Sequence, residues 1–345
     1  MKPFRSFLVL TLSCLAVSCS FQSRDRWNEG VIAVMADSTD WVALESVLNT
    51  TYERVVRTPQ IEKTYTLRYV KPAEIDNWTN YRYLILAATL ESTGRVGKIV
   101  QRVVSDPEVY QWVQDGRNYV FTQKNQWAKN QLMTILVSKD LATLREKIEA
   151  NSEFLYAIFD TDVLYQIKKD MYLRREQIDL EQQLLTTANW TVRLQHDYFI
   201  DEEDLNEGFV SFRRMVPERW FFVHWIDGGD TTQLDPYWVL AQRNRIGGKY
   251  YSGSRVSDQY FFSTRSSFLG RPAQVTTGLW ESDTDAAGGP FKNYTFYDEL
   301  TKRTYMIDYA VFAPGKDKMS YLRRLDVMAR TFRTIFDPSE EAKVE

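Results

Sequence analysis

Cysteine is nearly missing from this 345-residue chain, and its placement matters more than its number. Cys14 and Cys19 both lie close to the N-terminus, and everything after them lacks a thiol. That excludes a disulfide, a cysteine nucleophile and a thiolate metal site from the folded part. Histidine is equally scarce. His196 and His224 stand alone, without His-x-x-x-His spacing, so a zinc site has no framework and both read as sheet residues. There is no Gly-x-Ser-x-Gly elbow, no P-loop and no dinucleotide fingerprint. Gly247-Gly248-Lys249 has neither the upstream glycine nor the following Ser or Thr of a phosphate loop, and reads as a turn. Charge of one sign is also absent. The net charge is −3 with both signs interspersed, so no basic stripe offers itself to nucleic acid. No apolar run reaches the roughly 20 residues of a membrane-spanning helix. No cofactor and no metal are expected.

What is present begins with aromatics. They make up 14% of the chain, which fits an aromatic, β-rich core better than an aromatic surface for glycans or peptides. The N-terminus carries Lys2 and Arg5, then an apolar stretch over Phe7–Val17, then Leu15-Ala16-Val17-Ser18-Cys19. Small residues directly before a cysteine resemble the lipobox of bacterial lipoproteins, which implies that Cys19 becomes the acylated first residue. The rival is an ordinary secretory signal cut near Ser18 or Ser20. No aspartate follows Cys19, which points to the outer membrane, facing either the periplasm or the outside.

The periodicity predicts an α+β chain of two mixed α/β lobes bridged by a long helical segment. The expected organisation is a lipoprotein signal peptide (1–18), a tether (19–28), an N-terminal α/β lobe (29–139), a helical bridge (140–188), a C-terminal α+β lobe (189–337) and an acidic tail (338–345). Gly30–Ala36 is a buried strand, and Trp41 to about Arg57 is a helix. Further strands fall at Lys63–Val70, Tyr81–Leu90, Asn118–Thr122 and Leu132–Val137. Asp140 caps the bridge, whose stripe from Leu141 is not a sustained heptad. From Trp190 the period becomes two, with alternation through Val192 and Leu194. Tyr305, Ile307, Tyr309 and Val311 share one face of the clearest strand. Pro236–Arg245 is a short helix, and Leu322–Ile335 a closing amphipathic one. This element order resembles the fold of the photosystem PsbP and Mog1 proteins.

Candidate sites gather in Thr277–Phe291. Gly288, Gly289 and Pro290 read as a sharp turn joining two strands. Around it stand Trp280, Glu281, Asp283 and Asp285. Asp283-x-Asp285-x-x-Gly288 matches half a calcium loop, but Ala287 and Tyr294 fall where oxygen ligands belong. Glu281 with Asp283 or Asp285 has the composition of a glycosidase carboxylate pair, which makes a carboxylate-based envelope hydrolase centred on Glu281 and Asp283 the alternative function. Arg243 and Arg245 beside a glycine pair read as an anion clamp or a solvated helix end. The leading expectation is a non-catalytic envelope module that binds a protein, peptide or glycan partner and reaches the membrane through its lipid.

The motifs also resemble a family of Bacteroidetes lipoproteins known as a domain of unknown function, number forty-eight thirty-seven in that series. The resemblance rests on Gly30–Met35 with Trp41, on Gln126–Gln131 and on Arg243-Asn244. It is strongest at Gly278-Leu279-Trp280-Glu281 with Gly288-Gly289-Pro290-Phe291, followed by Val311–Pro314 and Tyr321–Arg323. Thr277 stands where the family pattern has arginine, and Ala287 where it has methionine. The family has no assigned activity, so the resemblance implies location and class rather than mechanism.

Overall fold

The apolar run after Gly30 forms an inner strand of a mostly parallel sheet, paired on both sides and buried as a helix-covered strand must be. The computed structural model describes residues 28–173 and 175–338. Cys19, the signal peptide and the acidic tail beyond 338 lie outside the described residues. In chain order the elements are β1 (Val31–Ala36), α1 (Ser38–Tyr52), β2 (Val55–Arg57), β3 (Ile61–Lys63), β4 (Thr66–Val70), β5 (Tyr83–Thr89), α2 (Arg95–Val103), α3 (Pro107–Gln114), β6 (Val120–Lys124), β7 (Leu132–Ser138), α4 (Leu141–Ala150), α5 (Ser152–Met171) and α6 (Ile178–Ala188). Then follow β8 (Trp190–Thr191), β9 (Phe199–Asp204), β10 (Phe209–Arg214), β11 (Glu218–Asp227), α7 (Pro236–Tyr250), β12 (Arg255–Phe268), β13 (Arg271–Glu281), β14 (Gly288–Asp298), β15 (Arg303–Phe312), α8 (Met319–Ala329) and β16 (Arg333–Thr334). The chain is α+β. It divides into two units, one of residues up to Arg54 with Lys63–Val163, the other of Val55–Glu62 with Leu164 onward.

The first unit is a five-stranded sheet in the order β4-β1-β5-β7-β6, parallel except for β6 at one edge. Every residue of β5 and β7 is buried. One face packs Ala33, Leu84, Met133 and Ile135 against Val96 and Val100 of α2 and Val109 and Val113 of α3. Chain order reverses at β1, which has β4 on one side and β5 on the other, and such switch points open a crevice at the strands' carboxyl ends. Here the chain fills that crevice itself. The Asp37 carboxylate accepts hydrogen bonds from the Val96 and Gly97 N–H groups at the start of α2, at 3.1 and 3.0 Å. A side chain at Gly94 would collide with it. Asp40 accepts from the Ser92 hydroxyl at 2.6 Å. Gln131 ties the β6–β7 turn to the preceding loop, donating to the Thr79 and Tyr81 carbonyls at 2.7 Å each.

The second unit is a seven-stranded sheet in the order β12-β13-β14-β15-β11-β10-β9, with antiparallel pairing throughout. Its faces are sharply different. On one, α8 docks through Asp326, which accepts from Tyr309 Oη at 2.6 Å, Lys292 Nζ at 3.0 Å and Arg330 Nε at 2.7 Å, and from Tyr294. The two cations outweigh the cost of burial and hold the Asp326 carboxyl far below its ordinary range. On the other face lies α7, with Val239 and Ile246 against Phe209, Phe222 and Met306. Asp235 caps this helix, accepting from the Tyr237 and Trp238 N–H groups at 3.0 Å, and Pro236 occupies its first turn.

Several expected elements differ. The helix from Trp41 stops at Tyr52, because Val55–Arg57 pairs with Ile61–Lys63 as a small hairpin. The expected bridge is three helices, and the division between units falls inside α5. The alternation from Trp190 yields only a two-residue strand paired with β16, and His196 lies in the turn that follows. The helix from Pro236 continues to Tyr250, because Ile246 and Gly247 are buried.

Candidate functional site

A cavity of about 490 Å³ opens between α7 and the sheet of the second unit. The register explains it. One row across the sheet runs Arg213, Trp220, Ala310, Phe291 and Gly278, each directly opposite the next. Ala310 is the small residue between two aromatic rings, and its missing bulk is where the cavity lies. A second row runs Ser211, Phe222, Asp308, Asn293 and Thr276, and a third places Glu218 opposite Phe312. From above, Arg243, Ile246, Gly247 and Tyr250 of α7 close the space with Tyr251 and the Ser282–Ala287 turn. Gly247 is required there, since a Cβ would sit 1.8 Å from the Ser254 carbonyl oxygen.

The walls are aromatic. Trp220 and Trp280 meet edge to face with centroids 5.3 Å apart, and Trp280 meets Phe312 at 6.1 Å. The charges are nearly all engaged. Arg243 donates to Asp308 through Nε at 3.0 Å, and its guanidinium lies 3.6 Å above the Phe291 ring. Asn293 donates to the same carboxylate at 3.0 Å. Burial pushes the Asp308 carboxyl up, while Arg243 and Asn293 draw it back down. Arg213 contacts Glu218 and stands 3.7 Å from Asp201, with its guanidinium 5.7 Å over Trp220. Burial raises the Tyr251 hydroxyl well above its ordinary range, so it stays protonated as a donor. Trp280 is 7% exposed, and its indole N–H has no partner.

Of the residues singled out by sequence, Trp280, Asp285 and Arg243 line this cavity together. Glu281 and Asp283 do not. Both are held by Arg255, Asp283 at 2.8 Å. Arg245 projects elsewhere, to Glu207 at 3.2 Å and His224 Nε2 at 3.4 Å. His224 is buried with Nδ1 2.9 Å from the Gly208 carbonyl oxygen, and burial depresses its pKa to about 4. Gly288, Gly289 and Pro290 are not the turn. The turn is Ser282–Ala287, and these three residues begin β14. Neither glycine has a positive φ. They are needed for space, because a Cβ at 289 would sit 2.0 Å from the Val311 carbonyl oxygen and 3.0 Å from Trp280 Nε1. Gly278 likewise leaves room for the Phe291 ring that carries Arg243. Pro290 pairs with Leu279 of β13 but precedes the first β14–β15 pair, Phe291 with Ala310, near the start of the strand where proline is tolerated.

Asp201, Arg213, Glu218, Trp220, Tyr251 and Phe312 were not singled out. Asp308 was not singled out either, though a signal for it existed. It interrupts the otherwise apolar run Tyr305–Phe312, and a carboxylate buried there requires a cation or hydrogen-bond donors.

Residues 177–331 match the family model described as Domain of unknown function (DUF4837), and residues 27–172 match a second, Domain of unknown function (DUF8532). The motifs Gly30–Met35 and Gln126–Gln131 therefore fall to the second model, and those from Arg243 onward to the first. No curated protein matches the sequence. Among solved structures, the Saccharomyces cerevisiae Ran-binding protein Mog1p is 9% identical over 43% of this chain and 90% of that one, with a TM-score of 0.28. LpqN, involved in cell envelope biogenesis of Mycobacterium tuberculosis, is 11% identical over 41% of this chain and 81% of that one, with a TM-score of 0.26. At those scores the likeness extends to neither mechanism nor ligand.

Proposed function

We propose, taking residues 177–331 as a member of the DUF4837 family, that this chain is a non-catalytic cell-envelope lipoprotein. It is anchored in the outer membrane through an acylated Cys19, and its second unit seats part of a protein, peptide or glycan partner. The observation that carries the reading is the cavity beside Ala310. Its volume falls within the roughly 300–1,000 Å³ of small-ligand sites, and its walls combine aromatic faces with a few fixed polar groups.

The chemistry around it supports binding rather than turnover. The buried charges, Arg243 with Asp308, neutralise each other. Glu281 and Asp283, the carboxylates of the hydrolase alternative, share a single guanidinium, and neither lines the cavity. A general acid and base need access to a substrate, and both members of this pair are instead ion-paired to Arg255.

A thermal-shift screen of the full chain in detergent, with cell-wall fragments, oligosaccharides and peptides, tests the binding reading. A ligand of the native state raises the melting temperature, and Ala310→Leu abolishes that rise. A hit unaffected by Ala310→Leu removes the cavity from the account, and product release from a hit overturns the non-catalytic reading. The anchor is tested separately. Cys19→Ala loses palmitate labelling and leaves the membrane fraction, and retention of both sinks the lipid assignment.

A further inference from the structure

The charges lining the cavity do not balance. Asp201, Glu218, Asp285 and Asp308 face it with Arg213 and Arg243, four carboxylates against two guanidiniums. Arg243 is consumed by Asp308, with which it is buried. Arg213 contacts Glu218 and stands 3.7 Å from Asp201, too far for a hydrogen bond. Asp201 is therefore only loosely neutralised. Asp285, on the exposed Ser282–Ala287 turn, has a neutral partner, the Thr284 hydroxyl at 3.2 Å. Asp201 thus shares one guanidinium with Glu218, Asp285 has no cationic partner among the described residues, and the cavity's carboxylates outnumber its cations by two.

The walls suit the same class of ligand. Trp220 and Trp280 both line the space, and indole rings attract cations through their quadrupole. Arg213 already shows the arrangement from within the chain, a guanidinium over Trp220 flanked by Glu218 and Asp201. An anionic group would meet the carboxylate excess, and a neutral one would leave it uncompensated.

We infer that the group seated in this cavity is an organic cation, an alkylammonium or guanidinium held between Asp201, Asp285 and the Trp220 and Trp280 rings. The inference rests on the binding role proposed above and names the chemistry of its ligand. Two sources carry such a group, a basic side chain of a peptide and the free amine of an amino sugar.

Isothermal titration of the full chain in detergent separates them with matched pairs. Nα-acetyl-lysine methyl ester is compared with its Nε-acetylated form, and glucosamine with N-acetylglucosamine. The cationic member of one pair is expected to bind about tenfold more tightly than its neutral partner. That preference weakens as salt is added. The pair that responds identifies the source. Asp201→Asn with Asp285→Asn erases the preference, and Asp285→Asn alone, on an exposed turn, reduces it without threatening the fold. Ala310→Leu removes binding of both members.

Equal binding within each pair, unchanged by the aspartate substitutions but lost with Ala310→Leu, overturns the cation assignment and leaves the cavity as a binding site. Absence of binding by every probe at millimolar concentration overturns the cation assignment. If the broader ligand screen also fails to distinguish the unmodified chain from Ala310→Leu, the binding role falls with it.

Discussion

The first unit answers the problem of its central crevice with its own side chain, and the second does not. At the carboxyl ends of β1 and β5 the polar backbone at the start of α2 would welcome an anion, and Asp37 is already there with two hydrogen bonds. The aliphatic strands beneath, β5 and β7, are buried from end to end. In the second unit the core is aromatic, and aromatic rings are too large to interlock around a small residue. Ala310 between Trp220 and Phe291 leaves a volume that the chain does not fill. At Asp37 and at Asp308 a buried carboxylate has found its partners. The second unit keeps unfilled room and an excess of carboxylates beside that satisfied group.

The largest effect that would break this contrast is expected at Arg243. Removing its guanidinium by Arg243→Ala leaves Asp308 buried with Asn293 alone, at a cost of about 3–5 kcal/mol. Chemical denaturation followed by tryptophan fluorescence reads the loss. Replacing both partners with apolar residues of similar size recovers most of it, because the desolvation penalty disappears along with the attraction. A mild effect from Arg243→Ala would mean that water reaches Asp308, and that the cavity floor is wetter than its burial implies.

Asp37→Ala is the counterpart in the first unit. It releases two N–H groups at a helix start and costs about 1–2 kcal/mol. The ligand response of the second unit stays intact. Lost binding in this variant would show that the two units are coupled and that the contrast between a filled and an open site is too simple.

How much of this was legible in the sequence depends on which face of an element is considered. The alternation of Tyr305, Ile307, Tyr309 and Val311 marks one face of β15 correctly, and that face meets α8. The site lies on the opposite face, where Met306, Asp308, Ala310 and Phe312 follow no simple rule. Their pattern is set by what α7 brings to meet them. The Gly-Leu-Trp-Glu and Gly-Gly-Pro-Phe motifs were visible as individual, but their reason was not. Glycine in a proline-containing stretch suggests a turn, whereas Gly278 and Gly289 are fixed by collisions with Phe291 and Val311, which only the sheet register creates. Local chemistry was readable, as in the Asp140 cap. Cross-strand space was not, because it depends on pairings between residues far apart in the chain.

Ala310→Leu sharpens the comparison by making the second unit resemble the first. The added side chain occupies space already present, so stability is expected to change by less than about 1 kcal/mol while ligand binding disappears. Melting temperature and titration, measured on the same preparation, separate the two effects. A large loss of stability would mean that the cavity walls are rigid and cannot accept a filled interior.

The smallest effect concerns pH, where a half-buried carboxyl and a buried imidazole of the second unit act in opposite directions. Burial raises the Glu181 carboxyl to about 7, against which its hydrogen bond from the Leu194 N–H works only in part. Its folded pKa lies above the ordinary 4.5, so the folded state holds the proton more tightly. The stability it contributes is complete below pH 4.5 and is lost as pH rises through 7. Burial lowers His224 from 6.5 to about 4, so its contribution is present above pH 6.5 and is lost as pH falls through 4. Glu181→Gln removes the first dependence and leaves the second. Melting temperature against pH should therefore flatten between 4.5 and 7 on the Glu181 side while its acid limb, set partly by His224, persists. An unchanged profile would mean that water relieves the burial of Glu181, and that the closed packing around α6 and β8 is looser than that around β15.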